Sequence, residues 1–231
     1  MNHRERVLAA LRHQEPDRIP LDLGATTDST IMATAYQAFR EQLGLEPGHM
    51  RVLDVYQHTA EAYRRALTLR PDKIEFRNNY ASLLYQMGRY EEVLPELRWL
   101  VERSPDNVVY WRSMREVLLT VERYDELVPV NERLLEIYNG QLTQHPNDIG
   151  LYIDSGIVLG DLERFDEALD RFTRALKLDP NSAAALFNAA SALGRAGRGY
   201  EAKPYLERFL ELYPDHSMAG WAREQLGKMT E

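Results

Sequence analysis

The sequence contains no cysteine, and this excludes disulfide bonds, thiolate nucleophiles and cysteine-ligated metal sites. A chain without disulfides fits a cytoplasmic location, which we expect for this protein. Long apolar runs are absent as well, since none approaches the roughly 18 residues that a membrane-spanning helix requires. The opening segment MNHRERVLAALRH reaches charged residues too early to hold the apolar part of a secretory signal, so we expect none there.

The sequence contains fewer basic than acidic residues. The 28 Lys and Arg residues face 36 Asp and Glu residues, the formal net charge is −8, and no block of basic residues interrupts this excess. Proteins that bind phosphate groups of nucleic acids or anionic membranes concentrate basic residues on one surface. We therefore predict no nucleic acid and no membrane as partner. The six histidines are scattered without the spacing of metal ligands on a helix, so we also predict no metal and no cofactor.

The chain does contain a repeat. The strings RYEEVL, RYDELV and RFDEAL begin at Arg89, Arg123 and Arg164. Prolines recur with spacings of 34, 41, 34 and 34 residues, namely Pro71, Pro105, Pro146, Pro180 and Pro214. Between them apolar residues follow helical steps of three and four, most clearly in Phe165, Ala168, Leu169, Phe172, Ala175 and Leu176. Each unit is therefore predicted to hold two amphipathic helices.

The segment from Ile149 to Pro180 indicates how these two helices pack. Gly156 and Ala168 are small residues at positions where antiparallel helices would have to approach closely, with large residues beside them. Pro180 cannot continue a helix, and the string LDPNSA then offers Ser or Asn as the cap of the next helix. The pattern predicts helical hairpins that stack through apolar faces.

The segment GLYIDSGIVLGDLERFDEALDRFTRALKLDP resembles a tetratricopeptide repeat. Its signature positions hold Tyr152, Gly156, Leu159, Phe165, Ala168, Phe172, Ala175 and Pro180. Weaker copies occupy residues 74–107 and 183–216. The copy that opens at Val108 keeps Trp111, Leu118 and Tyr124 but has Arg115 where a small residue is expected. It also carries seven extra residues, about two helical turns, so either its second helix is longer or Asn139-Gly140 breaks it. We favour the longer helix.

The resemblance implies an all-α fold, a right-handed α-solenoid of stacked tetratricopeptide helix pairs with an irregular N-terminal cap segment. We expect an N-terminal segment over 1–53 and a solenoid over 54–231. The solenoid divides into a half repeat at 54–73, repeats at 74–107, 108–148, 149–182 and 183–216, and a capping helix at 217–229. In that last helix Met218, Trp221, Ala222, Leu226 and Met229 should face inward, whereas Arg223, Glu224 and Lys228 should face solvent.

Three features that could suggest chemistry are predicted to be structural. The acid pairs Glu91-Glu92, Asp125-Glu126 and Asp166-Glu167 recur with the repeat in the first turn of each second helix, where carboxylates stabilise the helix dipole. The glycine-rich string GRAGRG at 194–199 follows no strand and matches the turn GDLERF of the preceding repeat, so it should be a turn. Six aromatic residues stand at helical spacing, namely Tyr85, Tyr90, Trp99, Trp111, Tyr152 and Phe172. Most of them should lie in the core, and a few should face a groove.

Stacked helix pairs of this kind present their first helices on a concave groove suited to an extended or helical peptide. The resemblance places fourteen residues there: Asn78, Asn79, Ser82, Tyr85, Gln86, Arg112, Ser113, Glu116, Ile153, Asp154, Phe187, Asn188, Ser191 and Arg195. Some members of the family grip a C-terminal carboxylate with basic and Asn residues, but Gly150 and Asp154 stand where basic residues would be required, which disfavours an acidic chaperone tail. We expect a non-catalytic scaffold that binds a peptide or protein segment.

The opening segment RERVLAALRHQEPDRIPLDLGATTDSTI resembles, within residues 1–60, the N-terminal fragment of uroporphyrinogen decarboxylase-like proteins, including corrinoid methyltransferase relatives. A (β/α)8 barrel of that kind needs about 250 residues, and the rest of the chain supplies neither strands nor the catalytic and metal-binding motifs of that family. Two interpretations of this segment stay open: helices at 4–13 and 31–43 cap the first repeat, or the segment is a loosely ordered appendage. We expect a mixture, with 31–43 packed and 1–28 partly mobile. The alternative is a remnant or subunit of such an enzyme.

Overall fold

The structure is a computed structural model, which describes residues 52–229. The described residues divide into two compact units, with the boundary between Glu96 and Leu97. The expected helices at 4–13 and 31–43 lie outside the described residues. The decarboxylase-like segment lies outside them as well, apart from its last few positions.

All regular elements of the described residues are helices, and none is a strand. They are α1 (Val52–Leu69), α2 (Ile74–Gln86), α3 (Tyr90–Arg103), α4 (Val108–Thr120), α5 (Tyr124–Gln144), α6 (Ile149–Asp161), α7 (Phe165–Leu178), α8 (Ala183–Arg195), α9 (Gly199–Leu212) and α10 (Ala219–Lys228). The boundary between the two units falls within α3. In the second unit, each helix from α4 to α10 packs against the next, and α6 also contacts α8. The fold class is therefore all-α, built from stacked helix pairs.

The seven extra residues of the repeat that begins at Val108 lengthen its second helix. Helix α5 runs for 21 residues through Asn139 and Gly140, whereas α3, α7 and α9 each have 14 residues. The prediction of a longer helix is confirmed.

The turns inside the helix pairs share one geometry. Four residues in these turns have left-handed backbone, with φ of 70° at Gly88, 58° at Glu122, 58° at Glu163 and 73° at Gly197. The amide of the arginine that follows each of them donates to a carbonyl five residues earlier at 2.9 Å, as Arg198 does to Leu193. This bonding satisfies the last carbonyls of the first helix. The string GRAGRG is therefore an inter-helix turn, as predicted.

Replacing Glu163 by glycine should stabilise the protein by about 0.5 kcal/mol. A left-handed conformation costs an ordinary residue roughly 1–2 kcal/mol. Glycine avoids that cost but loses about 0.5–1 kcal/mol more backbone entropy on folding. The free energy of unfolding from urea denaturation, followed by circular dichroism, measures the change. The matched control is Gly197→Ala, which should destabilise by about 1 kcal/mol. A loss of stability in Glu163→Gly would show that its side chain is needed in the turn.

The prolines at the repeat boundaries offer their carbonyl oxygens to side chains. Arg77 donates to the Pro71 carbonyl at 3.2 Å, Trp111 to Pro105 at 2.8 Å and Tyr152 to Pro146 at 3.0 Å. Each donor stands six residues after its proline. The Ser182 side chain caps the first helix of the next repeat, α8, by accepting a hydrogen bond from the Ala185 amide at 3.4 Å. The turn and cap predicted from LDPNSA are therefore confirmed.

The close approach predicted for Gly156 and Ala168 is present between α6 and α7. A Cβ atom built on Gly156 would lie 2.5 Å from Cε1 of Phe172. The Phe172 side chain is 1% exposed and Ala168 is fully buried. Gly156 therefore lets the Phe172 ring lie directly on the backbone of α6.

The acid pairs hold the starts of the second helices through arginine. Arg164 contacts Glu167 at 2.6 Å, and Arg198 contacts Glu201 at 2.7 Å while also reaching Asp166 of the previous repeat at 2.5 Å. Hydrogen bonding from Arg164 lowers the pKa of Glu167, and hydrogen bonding from Arg198 lowers that of Glu201. Four of the predicted acids therefore belong to ion pairs at helix starts, in line with the structural interpretation: Glu92, Glu126, Asp166 and Glu167.

The aromatic residues are less buried than predicted. Of the six named above only Phe172 is fully buried, and the others are half-buried. The expectation that most of them are core was wrong, because Trp111 and Tyr152 use their polar edges to reach proline carbonyls and Trp99 carries the Arg103 guanidinium 4.1 Å over its ring.

The last helix covers the preceding pair as expected. Ala222 is fully buried, and the other four predicted inward residues pack against the cluster that includes Leu186, Leu206 and Phe209. The predicted outward residues Arg223, Glu224 and Lys228 are exposed. Helix α10 thus closes the apolar end of the stack with a polar outer face.

Candidate functional site

A pocket of about 100 Å³ opens between α6 and α8, the first helices of two successive repeats. We call it the α6–α8 pocket. It is lined by Gly156, Ile157, Gly160 and Asp161 of α6, Phe172 of α7, and Asn188, Ser191, Ala192 and Arg195 of α8. Small residues and the Phe172 ring form its apolar part, and the remaining side chains supply hydroxyl, amide and charged groups. Apolar surface and several polar groups therefore meet in one small pocket.

Three charged side chains from three successive repeats are linked by ion pairs, which we call the ion-pair chain. Arg115 of α4 pairs with one carboxylate oxygen of Asp161, and Nη1 of Arg195 lies 3.3 Å from the other. Arg115 and Asp161 are 21% and 24% exposed, whereas Arg195 is 47% exposed. The Arg195 guanidinium also lies 5.4 Å from the centre of the Phe165 ring. The group therefore has one negative and two positive charges, and two of its members, Asp161 and Arg195, line the pocket.

This ion-pair chain accounts for the deviant residue Arg115. Arg115 and Asn131 are each 41 residues before Gly156 and Phe172, the same interval as between Pro105 and Pro146. The repeat that begins at Val108 thus replaces a glycine–phenylalanine contact by two polar residues, of which Asn131 is 1% exposed. Burying polar groups in place of an aromatic ring is costly, and the ion pair between Arg115 and Asp161 offsets part of that cost.

A second ion pair lies nearer the start of α6. Nη1 of Arg112 is 3.4 Å from Asp154, with the arginine side chain 60% exposed. Behind this pair, burial raises the pKa of Tyr138 to about 12, with a further contribution from the Asp154 carboxylate. The phenol is therefore protonated and neutral at physiological pH. These groups give the surface polar character without a nucleophile or a free general base.

The structure brings three of the predicted groove residues together in the pocket, namely Asn188, Ser191 and Arg195. Asn188 donates to the Ala184 carbonyl at 2.8 Å. Phe187 instead packs into the apolar cluster near the last helix, with ring centres 4.9 Å from Trp221 and 6.0 Å from Phe209. Its ring therefore contributes to the packing of the last repeat.

The other predicted residues lie outside the pocket. In the second unit Ser113 and Ile153 are half-buried and Glu116 is exposed. In the first unit Asn78 and Asn79 are half-buried, Ser82 and Gln86 are exposed, and the Tyr85 ring lies 5.3 Å from the Tyr90 ring. These five predicted residues all lie on α2.

Sequence reasoning missed Ile157, Gly160 and Asp161. The signal for Asp161 was present, because Asp161 and Arg195 are separated by 34 residues, one period of the repeat. Opposite charges at the same position of neighbouring repeats are placed side by side when the repeats stack. A search for such pairs at the repeat period would have found this contact.

Within residues 52–229 no group of His, Cys, Asp and Glu side chains is arranged to hold a metal ion. Among the helices of that same range, none is long and apolar enough to span a membrane.

Residues 153–217 match the family model of the tetratricopeptide repeat. The human protein named Protein O-mannosyl-transferase TMTC3 is 26% identical over 157 residues, which cover 68% of this chain and 17% of that protein. The chain therefore spans less than a fifth of this curated relative.

Solved structures of MamA have the same fold. MamA from AMB-1 is 21% identical with a TM-score of 0.53, covering 82% of this chain and 96% of that one. MamA from Desulfovibrio magneticus RS-1 is 14% identical with a TM-score of 0.53, covering 84% and 99%. These findings support a tetratricopeptide repeat and the all-α fold predicted from the sequence. They do not support the resemblance of residues 1–60 to uroporphyrinogen decarboxylase-like proteins.

Proposed function

We propose that this protein is a non-catalytic interaction scaffold that binds a peptide segment of a partner protein in the groove between successive first helices. The observation that carries this proposal is the α6–α8 pocket. Its lining comes from adjacent repeats, so a ligand seated there would contact both at once.

The chemistry of the pocket favours binding over catalysis. Asp161 is held by two arginines, one at each of its carboxylate oxygens. Ser191 has no histidine beside it among the residues that line the pocket. A general base must be free to take a proton from its substrate. We therefore propose that the chain itself has no enzymatic activity, although its relative TMTC3 is named a transferase.

Three further statements are part of this proposal. We retain the division into a half repeat, four repeats and a capping helix, which the helix bounds support because each full repeat contains one helix pair. We retain protein as the partner class, in preference to nucleic acid or membrane, because of the net charge of −8. We retain a cytoplasmic location, which rests on the lack of cysteine.

Blocking the pocket should weaken peptide binding. Random peptides displayed on phage are selected on the full chain, and the affinity of a recovered peptide is then measured by fluorescence anisotropy. Ser191→Trp places an indole in a pocket of about 100 Å³, less than the about 150 Å³ that holds benzene in an engineered cavity. We expect an affinity loss of about tenfold or more, the loss of one buried contact of about 1.4 kcal/mol.

The matched control is Lys203→Trp, which introduces the same side chain at an exposed position of α9 whose surface ion pair with Glu207 has a distance of 3.8 Å. It should leave the affinity unchanged. Failure to recover any peptide, or equal binding by Ser191→Trp and the wild type, would overturn the proposed function.

A further inference from the structure

We propose that the α6–α8 pocket selects a peptide with an acidic side chain, whose carboxylate binds Arg195. This inference rests on the proposed function, since it specifies the ligand of the same groove. It is based on the difference between the two ion pairs that Asp161 makes with Arg115 and Arg195.

Arg115 holds Asp161 more closely than Arg195 does. The pair with Arg115 is shorter than the 3.3 Å separation between Arg195 Nη1 and the other carboxylate oxygen. Arg115 is also the less exposed of the two arginines. If Arg195 turned to a ligand, Asp161 would still have a cationic partner. Arg115 is therefore a positioning residue, which neutralises Asp161 and leaves Arg195 available.

Arg195 is placed to meet a ligand. Nearly half of its side chain is exposed at the mouth of the pocket. Gly160 leaves room beneath it, since a Cβ there would lie 3.7 Å from Nη1 of Arg195. A guanidinium has five donors in a planar fork that matches a carboxylate, and a single bond to Asp161 leaves most of them for a ligand. The hydroxyl of Ser191 and the amide of Asn188 line the same pocket.

The charge and the size of the pocket indicate that the group it binds is one acidic side chain. Two arginines and one aspartate leave a single net positive charge, which matches a monoanionic carboxylate. A dianionic phosphate would leave one negative charge uncompensated at the site. The cavity of about 100 Å³ admits a short side chain and is too small for an aromatic ring.

This arrangement differs from the grip on a C-terminal carboxylate considered above, which would need basic residues at Gly150 and Asp154, near the start of α6. The cation here is the last residue of α8. The net charge of −8 gives an acidic peptide no long-range attraction to the chain as a whole. Recognition would therefore depend on the direct contact with Arg195.

The test compares two random peptide libraries selected on the full chain. In one library the peptides are fused through their C-termini, so that only side chains can supply a carboxylate, and in the other the C-termini are free. We expect the first library to return peptides enriched in Asp or Glu at one position. Arg195→Gln changes a half-exposed position and should weaken the binding of these peptides about tenfold.

Two variants test the role of Arg115. In Arg115→Gln, Asp161 should compete for Arg195, so that the acidic peptide binds about fivefold more weakly while a neutral Gln version of the same peptide is unaffected. Asp161→Asn should bind the acidic peptide at least as tightly as the wild type. Thermal melts followed by circular dichroism verify that each variant is folded.

Each other outcome overturns a defined part of the account. Peptides without acidic enrichment, or acidic peptides that bind Arg195→Gln as tightly as the wild type, would refute the carboxylate site. If such peptides still bound Ser191→Trp more weakly than the wild type, the proposed function would stand. Enrichment only in the library with free C-termini would identify a terminal carboxylate and refute the side-chain source. An absence of peptides from both libraries would refute the proposed function itself.

Discussion

Phe172→Ala is expected to lower the free energy of unfolding by about 4 kcal/mol. The ring is 1% exposed and lies directly on the backbone of α6 at Gly156. Removing it leaves a cavity, which the helices cannot fill without moving their backbones together. Because Phe172 also lines the α6–α8 pocket, the loss of the ring would open the floor of the peptide site.

Urea denaturation followed by circular dichroism measures this change. The control is Lys203→Ala, an exposed change on α9 that should alter stability by less than about 0.5 kcal/mol. A loss of only about 1 kcal/mol in Phe172→Ala would mean that the contact between α6 and α7 is looser than described.

Gly156→Ala is expected to destabilise the protein by about 2 kcal/mol. The new Cβ would lie 2.5 Å from Cε1, 2.8 Å from Cζ and 2.9 Å from Cδ1 of Phe172, so the buried ring must move. Overpacking of this kind costs up to about 3 kcal/mol, and alanine recovers about 1 kcal/mol through its higher helix propensity. The net effect is a loss, opposite in sign to the usual effect of replacing a helical glycine.

The double variant Gly156→Ala, Phe172→Leu separates these terms. Leucine lacks the ring atoms that the Cβ would meet, so the Gly156→Ala change should cost almost nothing in this background. The resulting coupling energy should be about 2 kcal/mol. Additive effects of the two changes would contradict a direct contact between residues 156 and 172.

The helix pairs could be predicted from the sequence because several local signals coincide at each boundary. The proline spacing, the small residues Gly156 and Ala168, and the cap at Ser182 all act within one repeat, where sequence distance translates directly into spatial neighbourhood. The extended α5 followed from the same logic. These features depend on helix period and capping, which a single chain segment determines.

The site was predicted only in part, because its residues come from different repeats. Asn188, Ser191 and Arg195 were identified through the family resemblance, whereas Ile157, Gly160 and Asp161 were missed. Arg115 was recognised as a deviation, but its partner Asp161 lies in the next repeat and no local pattern points to it. Half-buried aromatics were misjudged for a related reason, since helical spacing does not show that a ring edge will bind a proline carbonyl.

The most direct test of a peptide groove between α6 and α8 uses methyl-labelled isoleucine in the full chain and a peptide recovered from the libraries. Ile157 lines the pocket, whereas Ile137 lies on α5 and serves as an internal control. On addition of the peptide, the methyl resonance of Ile157 should shift most and that of Ile137 should stay in place. An unchanged Ile157 resonance in the presence of bound peptide would contradict the central claim.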